Sequence, residues 1–189
     1  MNIRLQPVST DHITQLVALH EQSLPVTYPA SFYTSLPTNP FAFVAINSND
    51  EILGCLVAEI REENHVSMKG LPYPFDGTHR PSFSWKSLPL TMKKWFSWPK
   101  TLAYILTLVV SHEYRRLGVA SFLLTALERC CKHHVEGVFL HSSILNDSAT
   151  RFYSTSGFQK LPVLVDFYKD CNTSLSNRDA FLWLKLFNS

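Results

Sequence analysis

The amino-acid sequence predicts a mixed α/β sandwich in a single domain, residues 1–189. Three observations carry that expectation. Residues 102–110 form an unbroken apolar, β-branched run, and a short polar turn leads from it into an apolar period of helical spacing. Two further apolar runs, 41–46 and 52–60, are separated only by Asn47-Ser-Asn-Asp50, the pattern of a hairpin. A second strand–helix–strand passage then fills residues 137–187. Two β-α-β passages after a hairpin place helices against one central sheet.

The elements follow in order. Ile3 and Leu5 alternate with Arg4, which suggests a first strand. Ser9-Thr10-Asp11 offers a helix cap, and Ile13, Leu16, Val17 and His20 recur at helical spacing behind it. Pro25 and Pro29 interrupt that helix and leave a rigid loop carrying Tyr28. Residues 30–36 suit a short helix, and the hairpin follows. After the strand at 102–110, Leu117, Ala120, Leu124, Leu127 and Cys131 fall on one helix face. Residues 137–142 read as another strand. Asn146 caps a helix that Ser156-Gly157 ends. Residues 158–168 read as a strand whose Pro162 suits an edge or a bulge, and 180–187 as the last strand.

Residues 61–100 break the pattern. Pro72, Pro74, Pro81, Pro89 and Pro99 punctuate them, and Phe75, Phe83, Trp85, Trp95, Phe96 and Trp98 lie among them. So long a stretch without periodicity inside a domain is usually functional or disordered, and its aromatic content argues against simple disorder. Three readings stand: an ordered lid, a basic-aromatic contact for a membrane surface or partner through residues 85–98, and a flexible insert.

Composition narrows the function. The chain is 46% apolar and 17% charged, hence globular, and a net charge of +2 is too small to make nucleic acid the main partner. The first residues contain no apolar stretch, so no signal peptide is expected, and no run reaches the length of a membrane span. Cys55, Cys130, Cys131 and Cys171 lack a secretory context, which favours a reducing, cytoplasmic compartment. Cys130-Cys-Lys-His-His134 supplies only one helix face of a metal set, so the reading is a helix end with Cys131 in the core, and no metal is expected.

The strand–turn–helix unit has the layout of an anion site. Free N–H groups at a helix start point outward, and the dipole adds roughly half a positive charge. Gly118 lets backbone approach a ligand, Ala120 keeps the next position small, and Arg115 and Arg116 add charge. Neither G-x-x-x-x-G-K-[ST] nor G-x-G-x-x-G is present. The pattern is Arg-x-x-Gly-x-Ala, which resembles the pyrophosphate loop of the GCN5-related N-acetyltransferases (GNAT). Several blocks resemble the catalytic subunits of N-terminal (Nα) acetyltransferases, above all the Golgi-associated NatF type, with NatE next. They are Leu24-Pro-Val-Thr-Tyr-Pro-Ala-Ser-Phe-Tyr33, Ala103-Tyr-Ile-Leu-Thr-Leu108, Tyr114-Arg-Arg-Leu-Gly-Val-Ala120, Leu140-His141, and Asn146 with Arg151-Phe-Tyr153.

The resemblance implies a central mixed sheet of about six to seven strands flanked by about four helices, with a long insert after the third strand. It implies an acyltransferase that uses acetyl-CoA and no metal. Backbone groups of Leu108, Val109 and Val110 would pair with pantetheine, and Arg115, Arg116, Leu117, Gly118, Val119, Ala120 and Ser121 would cradle the pyrophosphate. Asn146 and Tyr153 would face the thioester arm. Tyr104 and His141 match the catalytic pair, with Tyr153 as the acid for sulfur. Pro25, Tyr28, Leu106 and Tyr168 match positions that hold a peptide N-terminus.

The chemistry is consistent with an α-amine substrate. With a pKa of 7.7–8.0, an α-amine is roughly a tenth to a fifth neutral at pH 7, whereas a lysine is neutral about four times in ten thousand. Such an amine needs only modest base help, such as water held by Tyr104 and His141. A backbone N–H from Val109 or Val110 would polarise the acetyl carbonyl. Direct attack needs no activated cysteine, and none is recognisable. The expected activity is acetylation of protein N-termini that start with Met. Acetylation of a small amine or lysine, and a non-catalytic acetyl-CoA-binding module, are the alternatives.

The sequence also departs from the family pattern. Thr27 stands where NatF-like enzymes have an acidic residue, and Leu24 where an aromatic is usual, which leaves the N-terminal residue preference open. Val109 replaces a small residue, and the insert replaces a short hairpin turn. The NatF membrane-binding tail is absent from this sequence, so Golgi attachment is not carried over. Cytoplasmic location, with the cytosolic face of a membrane as the alternative, is the expectation.

Overall fold

A computed structural model of the chain describes residues 2–62 and 101–187. The lid, contact and flexible-insert readings of residues 61–100, and the contact expected through 85–98, fall outside the described residues from position 63 on.

Seven strands form one sheet in the order β1-β2-β3-β4-β5-β7-β6. They are β1 (Arg4–Pro7), β2 (Ala42–Ile46), β3 (Ile52–Glu62), β4 (Thr101–Val110), β5 (Gly137–Ser143), β6 (Gln159–Leu164) and β7 (Ala180–Leu186). Among the described residues four α-helices accompany them: α1 (Ile13–Ser23), α2 (Ala30–Ser35), α3 (Val119–Cys131) and α4 (Asp147–Thr155). The predicted mixed α/β architecture is borne out. Strands β1, β2 and β3 run antiparallel in turn. The Glu136 N–H, just before β5, donates to the Thr101 carbonyl at the start of β4. Start therefore meets start, and the helical crossover gives a parallel pair.

Backbone contacts group the described residues into two compact units: 2–59 with 105–131, and 60–62 with 101–104 and 132–187. In the first unit, Leu16, Leu36, Val44, Leu53, Leu56, Leu123 and Leu127 are fully buried. In the second, β7 pairs antiparallel with both β5 and β6, and Trp183 is wholly enclosed, its indole N–H donating to Ser142 Oγ at 2.9 Å. That bond spares the ring a buried unpaired donor.

Three local expectations need correcting. Leu117 does not lie on the α3 core face. Arg116 and Gly118 both have positive φ, the helix begins at Val119, and Leu117 is 56% exposed in the turn between them. Val119 and Leu123 take the buried places instead. The strand expected over 158–168 spans only Gln159–Leu164, because the chain turns at Asp166, with φ 55°. The register shift between Lys160 and Val163 brackets Pro162 on an edge strand, where a missing N–H costs least. The α1 cap is a one-turn 3-10 helix, Thr10–His12, in which the Ser9 N–H donates to His12 Nδ1 at 3.0 Å.

Candidate active site

The turn read from the sequence as an anion site lies in the first unit. β4 ends at Val110, a 3-10 turn follows at His112–Tyr114, and α3 starts at Val119. Arg116 (φ 64°) and Gly118 (φ 84°) bend the backbone twice through the left-handed region. A Cβ at Gly118 would meet no protein atom within 4 Å, so the glycine answers to its φ and not to protein packing. The Phe122 N–H closes the first helical bond on the Gly118 carbonyl, and the N–H groups of Val119, Ala120 and Ser121 have no acceptor among the described residues. Three such donors, the dipole and two exposed arginines make a turn whose chemistry suits an anion. Val119 is buried, so only its backbone can serve. Arg115 is partly committed, because its Nε donates to the Val110 carbonyl at 3.1 Å.

Strand β4 sorts its own backbone groups. A Cβ on Gly54 of β3 would lie 2.7 Å from the Val109 carbonyl oxygen, and the Ser111 N–H donates to Leu53 O. Val109 and Ser111 thus turn toward β3, and alternation directs Leu108 and Val110 to the other edge. The Val109 carbonyl is consequently not available there for pantetheine.

Also in the first unit, the Tyr28 hydroxyl donates to the Leu106 carbonyl at 3.2 Å, which pins the Pro25–Tyr28 loop to β4. The Tyr28 ring lies 4.4 Å from that of Phe32 and 5.6 Å from that of His20. His20 is buried beneath them, with Nε2 3.5 Å from Thr107 Oγ1 of β4 and Nδ1 without a partner among the described residues. Burial lowers its pKa to about 4, so it is neutral at physiological pH.

The second unit holds the pair expected from the sequence. Tyr104 Oη and His141 Nδ1 are 3.2 Å apart. Phe139, two residues before His141 on β5 and hence on the same face, stacks on Tyr104 at 4.7 Å. Phe167 stacks on His141 at 4.2 Å and meets Tyr168 edge-on at 4.9 Å. This aromatic box lowers the His141 pKa to about 3 by desolvation. In either tautomer Nδ1 meets Tyr104, while Nε2 is enclosed without a partner among the described residues.

Tyr153 is not brought to that pair. It packs on Trp183 and Phe158, and Trp183 is registered opposite Leu140, so Tyr153 occupies the face of β5 opposite His141. Its hydroxyl has no hydrogen-bond partner among the described residues, and burial raises its pKa strongly. Transfer of its proton to a thiolate, whose thiol titrates near 8.5, would run uphill. Tyr153 is therefore a poor proton source. Asn146 is exposed, and its Oδ1 already caps α4 by accepting from the Ala149 N–H at 3.0 Å, leaving only its amide NH2 for a ligand.

The sequence profile of the acetyltransferase (GNAT) family matches residues 13–158. The chain belongs to the GNAT family. The family and enzyme class expected from the sequence are therefore borne out. N-alpha-acetyltransferase 60 of Drosophila melanogaster is 28% identical over 200 residues, covering 99% of this chain and 70% of that protein. The Xenopus tropicalis protein of the same name is 29% identical over 163 residues, covering 84% of this chain and 60% of that protein. This chain thus spans between 60% and 70% of the length of these relatives. Among solved structures, Arabidopsis thaliana NAA60 in complex with a bisubstrate analogue matches with a TM-score of 0.75 at 21% identity, over 99% of both chains, a likeness of fold.

Within this GNAT chain, Phe139, Phe167 and His20 escaped the sequence reading. Phe139 was within reach of it, since a residue at i−2 on a strand shares the face of His141. Phe167 and His20 carry no local signal. Among the described residues no group of three or more His, Cys, Asp or Glu could hold a metal ion, and no helix is long and apolar enough to cross a membrane.

Proposed function

We propose that this GNAT chain is an acetyl-CoA-dependent Nα-acetyltransferase that acts on the free α-amino group of protein N-termini, with Met as the expected first residue. The Tyr104–His141 hydrogen bond, enclosed by Phe139 and Phe167, carries this reading. Such a pair orients an amine that is already partly neutral and has no need of a strong base.

The anion turn fits the pyrophosphate of acetyl-CoA. Arg116, Gly118 and the N–H groups of Val119, Ala120 and Ser121 would hold it, with Arg115 and Leu117 flanking. Leu108 and Val110 supply the backbone groups on the edge of β4 facing away from β3, and a Val110 N–H suits the acetyl carbonyl. In the first unit, Pro25, Tyr28 and Leu106 would receive the peptide N-terminus. The amine nitrogen bonds to the acetyl carbon as the carbon–sulfur bond breaks. The proton leaving nitrogen passes by water held at Tyr104 and His141 to solvent, because His141 at a pKa of about 3 does not retain it. Solvent supplies the proton that the departing thiolate finally takes, and Tyr153, buried on the face of β5 opposite His141, is not its source.

In this reading residues 1–189 act as one catalytic domain. We place it in the cytoplasm, where its free cysteines would stay reduced and polypeptide N-termini are available. Epitope imaging of the full-length protein tests that placement, and a lumenal signal would overturn it. The activity is tested with acetyl-CoA and a library of N-terminal peptides read by mass spectrometry. Acetyl groups on α-amines of Met-starting peptides are expected. Transfer only to lysines of N-blocked peptides, or none at all with acetyl-CoA bound, would overturn the proposal.

A further inference from the structure

We propose that Glu51 and Tyr114 form a clasp that positions the Arg115–Gly118 turn for the pyrophosphate of CoA, an inference that rests on the acetyl-CoA reading of that turn. Arg116 and Leu117 make no hydrogen bond to any described residue, so the turn depends on its two ends. One end is α3. The other is the segment Ser111–Arg115, where the Tyr114 hydroxyl donates to Glu51 Oε2 at 2.8 Å, across 63 residues of chain. The Asn47 side chain also acts on the Tyr114 hydroxyl, so both side-chain ties from this segment lead to the β2–β3 turn.

Glu51 is itself held. Asn47 Nδ2 donates to the same Oε2 at 2.9 Å, and Asn47 Oδ1 accepts from the N–H groups of Asn49 and Glu51 at 2.9 and 3.1 Å. Arg4 of β1 anchors this hairpin turn, donating to Asp50 Oδ1 at 2.7 Å and to the Asn47 carbonyl at 3.2 Å. The chain of contacts runs from β1 through the β2–β3 turn to Tyr114, and from there by one peptide bond to Arg115, whose Nε is tied to Val110. A turn ordered before the ligand arrives loses less conformational entropy on binding.

The sign of the effect separates positioning from bare electrostatics. A carboxylate near a pyrophosphate site is repulsive, so if Glu51 acted by charge alone, Glu51→Ala, which removes both the charge and the acceptor, would tighten CoA binding. A clasp predicts the opposite. Binding of CoA to the full-length protein is measured by calorimetry for wild type, Glu51→Ala, Tyr114→Phe and the double variant, together with steady-state kinetics. Each single variant is expected to raise the Kd for CoA and the KM for acetyl-CoA roughly three- to tenfold, with kcat and peptide KM unchanged. The double variant is expected to be no weaker than the singles, because both remove one contact. An unchanged or tighter Kd, additive losses, or lowered stability without a change in Kd would overturn the clasp. Absence of CoA binding in the wild type would instead overturn the acetyl-CoA reading of the turn.

Discussion

The Tyr104 hydroxyl lies 3.2 Å from His141 Nδ1, and the two rings meet edge-on with centroids 5.6 Å apart. Neither group can be replaced without leaving the other short of its partner inside an aromatic box. Tyr104→Phe and His141→Ala are each expected to lower kcat roughly a hundredfold, with CoA affinity retained. The double variant should fall little further, because the two act as a unit. Rates near wild type in both single variants would remove the pair from the mechanism.

The pH dependence should belong to the substrate. His141, held at about 3, stays neutral throughout the working range, whereas the α-amine titrates near 7.7–8.0. The expected kcat/KM rises about tenfold per pH unit below pH 7 and levels off near pH 8. A limb near pH 6.5 that vanishes in His141→Ala would contradict the neutral-histidine reading.

Tyr28→Phe keeps the ring against Phe32 and His20 but deletes the donor to the Leu106 carbonyl. Peptide KM is expected to rise about fivefold to tenfold, the size of one lost hydrogen bond, with the KM for acetyl-CoA unchanged. An unchanged peptide KM would show that the loop does not receive the peptide.

Gly118→Ala puts a Cβ on a residue with φ 84°. Space is free around it, so the cost is backbone strain of about 1–2 kcal/mol, which leaves the protein folded. The turn should relax away from its left-handed geometry and the Kd for CoA rise at least tenfold. Chemical denaturation with CoA titration checks both, and unaltered CoA affinity would count against the turn as the pyrophosphate site.

Buried His20 makes stability depend on pH. In the unfolded chain it takes a proton near 6.5, in the folded protein only at about 4. Between those values the unfolded state binds more protons, so this contribution is full above pH 6.5 and is lost as pH falls toward 4. At pH 4.5 the loss is about 2–3 kcal/mol. His20→Leu should flatten the change in urea midpoint between pH 7 and 4.5, and an equal acid loss in both proteins would refute it.

Local chemistry made much of this protein readable from sequence. Apolar runs and turn residues marked all seven strands, and Arg-x-x-Gly-x-Ala after a strand marked the anion turn, because periodicity and glycine's freedom act within a few residues. Leu117 was misplaced by the same logic, since its spacing continues the α3 period while two positive-φ residues turn it outward. His20 looked like one more position on a helix face, and only the packing of α1 and α2 shows it enclosed by Tyr28, Phe32 and Tyr33.

What the sequence determined by itself is therefore the element order, the anion turn and the identity of Tyr104 and His141 as candidates. Their meeting, the stacking of Phe167 on His141, the Glu51–Tyr114 bond and the place of Tyr153 on the opposite face of β5 were decided by tertiary structure. The physical reason is the strand order. With β7 set between β5 and β6, residues far apart in the chain become neighbours, and strand alternation assigns each side chain to a face. That assignment depends on register, which no local window of sequence contains.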